Sequence, residues 1–523
     1  MIIPLTPIRC LYRAVDLYAN KEALISGSCR FTYAQFAARC ERLASALVDE
    51  GIQPGDRVAY LSFNTHKLLE GYYGVVMAHA IVMPLNVRLT TPELISILNH
   101  SGARMLLVEN DFAPLAAEVH QCCPGILKLV NLDNGEYEAL LERGRPEPVD
   151  FMTVDENSIA ELFYTSGSTG TPKGVMLSHR TLYLHALSVF ATFIKDDNCV
   201  ELHTIPLFHA NGWGRPQAST MAGLKQVMVR RFEPSSVMKL IQDERATTMS
   251  LVPTMANALL NCVDVGKYDT SSLKEIHIGG AASSPELIAA MERAFKCTTA
   301  AGYGLTETCP VASDARLKST VVYRDDADRY RRQSMAGWPM PGCEVHVVDA
   351  HMQLVPRDGQ TVGEVVIRGD NVMDGYFKEE EATAAVMTGA WFHSGDMAVW
   401  DEDGYIHIVD RKKDIIISGG ENISSIEVEK AISAHPAVLE NCVVAAPDPK
   451  WGEVPAAFIV LKDGADLDEA AMIDFLQQRL GKFKLPRIFH FRTEPLPKTG
   501  TGKILKRELR EQFWAGKGKR VQG

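Results

Sequence analysis

Residues 164–174 read Tyr-Thr-Ser-Gly-Ser-Thr-Gly-Thr-Pro-Lys-Gly, and their types suit the gripping of phosphate. Gly167, Gly170 and Gly174 have backbone angles open to them that other residues avoid. Successive N–H groups can therefore turn inward around an anion. Thr165, Ser166, Ser168 and Thr169 add hydroxyl donors, and Lys173 adds a positive charge. A mononucleotide P-loop needs Ser or Thr directly after its lysine. Here Gly174 follows Lys173 and Pro172 precedes it, so that pattern fails. A plain Gly/Ser linker is disfavoured by the apolar run before the loop (Ile159, Leu162, Phe163) and by Val175, Met176 and Leu177 after it.

Further motifs follow in order. They are Pro206-Leu-Phe-His-Ala-Asn-Gly-Trp213, Gly279-Gly-Ala-Ala282, Gly302-Tyr-Gly-Leu-Thr-Glu-Thr308 and Ser394-Gly-Asp396. After them come Asp410-Arg-Lys-Lys-Asp414, Gly419-Gly-Glu-Asn422 and Pro497-Lys-Thr-Gly-Thr-Gly-Lys503. This series resembles the adenylate-forming superfamily of acyl-CoA synthetases, peptide-synthetase adenylation domains and beetle luciferases, and is most like the medium- and long-chain fatty-acid–CoA ligases. The resemblance implies a two-step reaction. A carboxylate and ATP give an acyl-adenylate and pyrophosphate, and CoA then takes the acyl group and releases AMP.

That chemistry brings two negatively charged partners together, so it depends on charge cancellation and in-line positioning. The glycine loop with Lys173 suits the leaving phosphates, and Lys503 is the candidate cation at the α-phosphate. Glu307 suits magnesium, which takes hard oxygen ligands while bridging phosphates. Asp396, read as part of a tight turn, suits a vicinal ribose diol. The resemblance further implies that Tyr303 stacks on adenine beside Gly280 and Ala281, with Gly302, Gly304 and Thr306 in the same nucleotide segment. It places Arg411 near the ribose or phosphate, and His209 between the acyl pocket and the adenylate. Asp410 and Lys413 match its interdomain hinge, and Gly419 and Gly420 match its CoA route. Trp213 matches the tryptophan that gates the acyl channel in long-chain ligases, with Gly212 and Gly214 leaving the backbone room for the swing.

Composition bounds these readings. The 523 residues are 46% hydrophobic and 23% charged, as in ordinary globular proteins. A net charge of −11 argues against a nucleic-acid partner. No secretory pattern opens the chain, and no apolar run approaches the ~20 residues that cross a bilayer. Eleven scattered cysteines, without a metal-ligand spacing, point to reduced thiols in a cytoplasm.

The positioning elements are readable in outline. Thr32 and Gln35 form a capping-box signature for a helix carrying Phe36, Cys40, Leu43, Leu47 and Val48, stopped at Gly51. Val58–Phe63 reads as a strand, 68–77 as a helix, Thr91-Pro92 as a helix start and Met105–Val108 as a strand. This alternation implies βαβ units and parallel sheet. Short strands at Glu344–Val348 and Gly363–Arg368 resemble the family's small β subdomain. Beyond Asp410 a compact α+β unit is expected, with helices at 426–435, 467–480 and 504–513 and strands near 438–446 and 456–462. The charged run 325–333 reads as an exposed face or loop.

The fold class is therefore α/β. A large N-terminal domain of βαβ-type subdomains plus a small β subdomain spans residues 1–409, and a mobile α+β domain spans 410–523. ATP, Mg²⁺ and CoA are the implied cofactor and co-substrates, with a small carboxylic acid as substrate; a homodimer follows by analogy with the long-chain members. Aryl, hydroxycinnamate and short-chain thioether-acid ligases share every motif. A peptide-synthetase adenylation domain is disfavoured because twenty residues after Lys503 leave no room for a carrier domain. Ile417 stands where luciferases carry a second functional lysine, and a catalytically dead binding protein would have lost key polar positions.

Overall fold

The computed structural model describes residues 2–165, 172–264, 266–419, 421–498 and 504–514. Its chain forms two compact units, Met1–Val345 with Ile367–Phe392, and His346–Val366 with His393–Gly523. The mixed α/β character matches the expected fold class.

In the first unit, six strands of a nine-stranded sheet run parallel, from Thr298–Gly304 through Glu275–Ile278, Thr248–Leu251, Val200–His203 and Lys225–Met228 to Glu22–Ser26. Antiparallel strands close both edges. A seven-stranded sheet is ordered Gly375–Tyr376, Lys173–Ser178, Ile159–Thr165, Ile81–Pro84, Arg57–Leu61, Met105–Val108 and Lys128–Asn131. Its core includes Leu61, Met83, Leu106, Val108 and Leu162.

Local signals are realised closely. Thr32 N donates to Gln35 Oε1 at 2.8 Å and Gln35 N to Thr32 Oγ1 at 3.3 Å, starting helix Tyr33–Asp49. Helix Thr91–Ser101 is closed the same way, with Thr90 N donating to Glu93 Oε2 at 2.8 Å. The run 325–333 departs from expectation, because helix Asp326–Gln333 buries Asp328, Arg332 and Gln333. Arg329 pairs with Glu292 at 2.9 Å and Gln333 Nε2 donates to Thr299 O at 2.9 Å. The charged residues find polar partners, so one face of the run is internal.

In the second unit, a sheet is ordered Glu421–Ile423, Ile416–Ser418, Gly452–Leu461 and Val438–Asp448, with Ile488–Arg492 parallel to Gly452–Leu461. Successive residues of a strand face opposite ways. Val443 and Ala445 accordingly pack with Val428, Ile432, Met472 and Leu476 of helices Ser425–Ser433 and Glu469–Gln477. Cys442, Val444 and Phe458 pack with Leu509 and Phe513 of helix Lys506–Trp514.

One return in the first unit is especially tight. Strand Thr298–Gly304 pairs back on Val311–Asp314, and a Cβ on Gly304 would stand 1.7 Å from Pro310 O. Gly304→Ala is therefore expected to destabilise the protein by about 1–3 kcal/mol, as overpacking does. Urea unfolding measures this, and an unchanged midpoint would contradict the tight return.

Candidate active site

Strands Ile159–Thr165 and Lys173–Ser178 form an antiparallel pair in which Thr165 faces Lys173 and Tyr164 faces Gly174. Ser166, Gly167, Ser168, Thr169 and Gly170, which join them, lie outside the described residues. The third strand is only two residues long, with Tyr376 opposite Val175 and Gly375 opposite Met176. Phe377 N fixes this register by donating to Gly174 O at 2.7 Å.

Tyr376 is the residue that the sequence reading missed. Its hydroxyl donates to Glu307 Oε1 at 2.8 Å, and Lys173 Nζ lies 4.8 Å from the centre of its ring. Three segments far apart in sequence thus meet at one side chain. Burial, then the adjacent Glu307 charge, pushes the phenol far above its ordinary value, so it stays a donor. No local pattern marks this tyrosine, and only the strand pairing brings it to the glycine hairpin.

Gly302, Tyr303 and Gly304 end strand Thr298–Gly304, and buried Thr306 opens the short turn Thr306–Thr308 that carries half-buried Glu307. Met373 N donates to Glu307 O at 2.8 Å, anchoring that turn through its backbone as well. Gly279, Gly280 and Ala281 follow strand Glu275–Ile278, with Gly280 at φ +76°. A Cβ on Gly279 would lie 3.0 Å from Trp213 Cη2, and one on Gly280 3.6 Å from Trp213 Cζ2. The indole therefore packs against the bare backbone of the Gly-Gly pair.

The segment around Trp213 is conformationally costly. Ala210, Asn211 and Trp213 have φ of 46°, 40° and 63°, in a region that disfavours side-chain-bearing residues by roughly 1–2 kcal/mol each. Gly214 N donates to Asn211 Oδ1 at 2.6 Å, and Gly212 N to His209 O at 3.2 Å. His209, half-buried, leads into this turn. Gly212 and Gly214 do not leave open room, contrary to expectation. Leu207 Cδ2 would be 2.8 Å from a Cβ on Gly212, and the His185 ring 2.3 Å from one on Gly214. These glycines serve positive φ and close packing.

The second unit holds the other predicted residues. Asp396 is buried inside strand Trp391–Trp400 and not in a tight turn; Gly395 takes φ +69° without ending the strand. Asp396 lies opposite Arg411, whose Nε is 2.6 Å from its Oδ1. Asp410 is buried, accepting from Arg411 N at 2.7 Å and Ser425 N at 2.5 Å, and burial raises its carboxyl above the usual range. Exposed Lys413 gives its carbonyl to Arg510 Nη1 at 3.4 Å, and the same nitrogen pairs with Asp414 at 2.8 Å. Lys506 reaches Glu429 at 2.8 Å and Ser425 Oγ at 2.5 Å. Lys506 and Arg510 were not singled out from sequence; both belong to helix Lys506–Trp514 and reach back to residues 410–429. Gly419 has φ +61°, and Trp451 Cε3 would be 2.6 Å from a Cβ there. Gly420 and Lys503 lie outside the described residues.

Comparison with known proteins accords with this arrangement. Residues 11–377 match the AMP-binding enzyme family, and residues 427–503 match the AMP-binding enzyme C-terminal domain. The chain belongs to the AMP-binding enzyme family. Within it, the protein is an AMP-forming acyl-CoA synthetase, an acid–thiol ligase that uses ATP, CoA and a small carboxylic acid. It is 37% identical to a long-chain-fatty-acid–CoA ligase of Thermus thermophilus over 96% of this chain and 94% of that relative. It is 36% identical to a trans-cinnamate:CoA ligase of Petunia hybrida over 97% of this chain and 94% of that one. A solved anthranilate CoA ligase in complex with anthranoyl-AMP superposes with a TM-score of 0.89 at 26% identity, covering 98% of both chains.

Tyr376→Phe keeps the ring beneath Lys173 but removes the donor to Glu307. A hydrogen bond to a charged group contributes about 1.5–3 kcal/mol, so adenylate formation is expected to fall roughly tenfold or more. Pyrophosphate exchange measures it, and a wild-type rate would show that the hydroxyl does not hold Glu307 for the reaction.

Proposed function

We propose that the enzyme activates a medium- or long-chain fatty acid, with the residue roles expected from its motifs. The observation that carries the reading is the indole of Trp213 packed on the Gly279–Gly280 backbone. An adenine approaching that backbone competes with the ring for the same surface, so nucleotide binding displaces the indole and opens the acyl channel.

The glycine loop (Thr165, Ser166, Gly167, Ser168, Thr169, Gly170) with Lys173 grips the phosphates that leave. Tyr303 stacks on adenine, in a nucleotide segment with Gly302, Gly304 and Thr306, and Gly280 and Ala281 allow close backbone approach to the base. Asp396 accepts from the ribose hydroxyls while Arg411 holds its Oδ1, and His209 borders the carboxylate. Among the described residues no group of three or more His, Cys, Asp or Glu suits a metal ion. Glu307, its Oε1 held by Tyr376, offers the single hard ligand that suits magnesium bound mainly through nucleotide oxygens. Magnesium supplies charge neutralisation at the phosphates. The domains divide at 409/410, and Asp410 and Lys413 pivot the C-terminal domain, bringing first Lys503 and then the Gly419–Gly420 loop into use. A cytoplasmic location agrees with eleven unpaired cysteines. A homodimer is carried by analogy with long-chain members and is tested by sedimentation.

The aryl reading is the rival, because the cinnamate ligase is nearly as similar as the long-chain enzyme. Assaying ATP, CoA and a panel of acids for coupled AMP and thioester release separates them. Each buried CH₂ contributes ~0.8 kcal/mol, so a fatty-acid channel favours longer chains steeply up to its length. An optimum at aromatic acids would overturn the fatty-acid reading.

Lys503→Ala is expected to slow adenylate formation about 10²–10³-fold and to leave thioester formation from preformed acyl-AMP largely intact. Equal losses in the two half-reactions would refute its role. Trp213→Ala is expected to flatten the chain-length profile and weaken the dependence of acid binding on ATP. An unmoved profile would remove the gate.

A further inference from the structure

Strand Ile159–Thr165 carries a carboxyl among apolar neighbours. Glu161 is fully buried, with Val82 and Leu177 beside it in the sheet. Among the described residues it has no ion-pair partner. Its contacts are two side-chain amides, Gln217 Nε2 at 2.8 Å from Oε1 and Asn211 Nδ2 at 3.4 Å from Oε2. Those amides stand on either side of Trp213. Asn211 precedes it in the strained turn, and Gln217 follows it in helix Arg215–Ala222. Asn211 is held at both ends, since its Oδ1 accepts from Gly214 N at 2.6 Å.

We propose that Glu161 is a positioning residue for acyl selection, one buried carboxyl that staples both ends of the Trp213 segment and sets where the indole stands. This rests on the reading of Trp213 as the acyl gate. Glu161 also lies on strand Ile159–Thr165, which precedes the glycine-rich segment in sequence.

Burial without a counter-charge pushes the Glu161 acid up to about 8. The titratable groups that face it are Tyr72 of helix His66–Met77 and Cys309 after turn Thr306–Thr308. Burial raises both, so both are neutral and neither supplies a charge. Glu161 is therefore mostly protonated at pH 7 and ionises, uncompensated, as the pH passes 8. The folded protein binds this proton more tightly than the unfolded chain. Its contribution to stability is fully present below the ordinary glutamate range, falls as the pH rises towards 8, and is lost above that. A glutamine presents the same neutral shape, donating to Gln217 Oε1 once that amide rotates and accepting from Asn211.

The test measures KM for the acid and for ATP between pH 6.5 and 9, by AMP release, in wild type, Glu161→Gln, Glu161→Ala and Trp213→Ala. Wild type is expected to show a rising acid KM through about pH 8, absent from Glu161→Gln, which keeps the wild-type acid KM at pH 7. Glu161→Ala loses two hydrogen bonds at about 1 kcal/mol each, so its acid KM is expected to rise roughly tenfold or more with ATP KM within about twofold. An alkaline rise retained in Glu161→Gln, or equal changes in both KM values of Glu161→Ala, would overturn the proposal. If Glu161→Ala does not fold, the pH profile of Glu161→Gln decides alone. A chain-length profile moved by Trp213→Ala, with the Glu161 variants unchanged from wild type, removes the staple and keeps the gate. An unmoved profile in Trp213→Ala, with acid KM shifted in Glu161→Ala, removes the gate reading instead.

Discussion

Tyr376 reaches Glu307 through one hydroxyl, and in the first unit the segments that carry Lys173, Glu307 and Tyr376 are organised around that contact. The phenol is 7% exposed, its ring lies under Lys173, and its hydroxyl donates to a carboxylate. A charge-assisted hydrogen bond is roughly twice as strong as a neutral one, and exclusion of water strengthens it further. The geometry in turn depends on two residues of strand pairing, since Tyr376 is aimed by its register opposite Val175. Strands Ile159–Thr165 and Lys173–Ser178, the Thr306–Thr308 turn and the short edge strand are thereby tied together.

Much of this was legible because it is local. A capping box needs only two side chains three residues apart, and Thr32 with Gln35 set the start of helix Tyr33–Asp49 without help from elsewhere. Met105–Val108 is buried along its whole length, and its apolar composition marks it. Tyr376 was not legible, because its partners lie far along the chain and no spacing announces them. The run 325–333 misled for the opposite reason. Its polar side chains look solvated until Glu292 and the Thr299 carbonyl, both distant in sequence, are seen to receive Arg329 and Gln333. Gly212 and Gly214 were recognised as special, but the reason lay in a histidine ring and a leucine that only tertiary structure brings close. Gly395 likewise sits inside a long strand, its carbonyl accepting from Lys412 N at 2.9 Å just before the pairing of Asp396 with Arg411 begins.

The second unit has its own version of the long-range tie. Helix Lys506–Trp514 packs Leu509 and Phe513 into the sheet while Lys506 and Arg510 extend to Glu429, Ser425 and Asp414. Apolar burial fixes the helix, and the two cations fix the segment around Asp410 to it. Asp410 itself accepts from two backbone donors, and the nearby Lys506 ammonium offsets part of the cost of burying its carboxyl.

The order in which the chain is made adds a consequence of the edge strand Gly375–Tyr376. Strand Lys173–Ser178 leaves the ribosome about 200 residues before Tyr376 does. At about 5–20 residues per second that interval is roughly 10–40 s. Throughout it, one edge of Lys173–Ser178 has unpaired backbone groups, the kind of edge that invites pairing with another nascent chain. Residues 346–366 belong to the second unit and are synthesised within this interval, so synthesis of that unit begins before the first is finished. Strand Lys173–Ser178 is therefore made in the first half of synthesis, yet its pairing is completed only once Tyr376 has emerged.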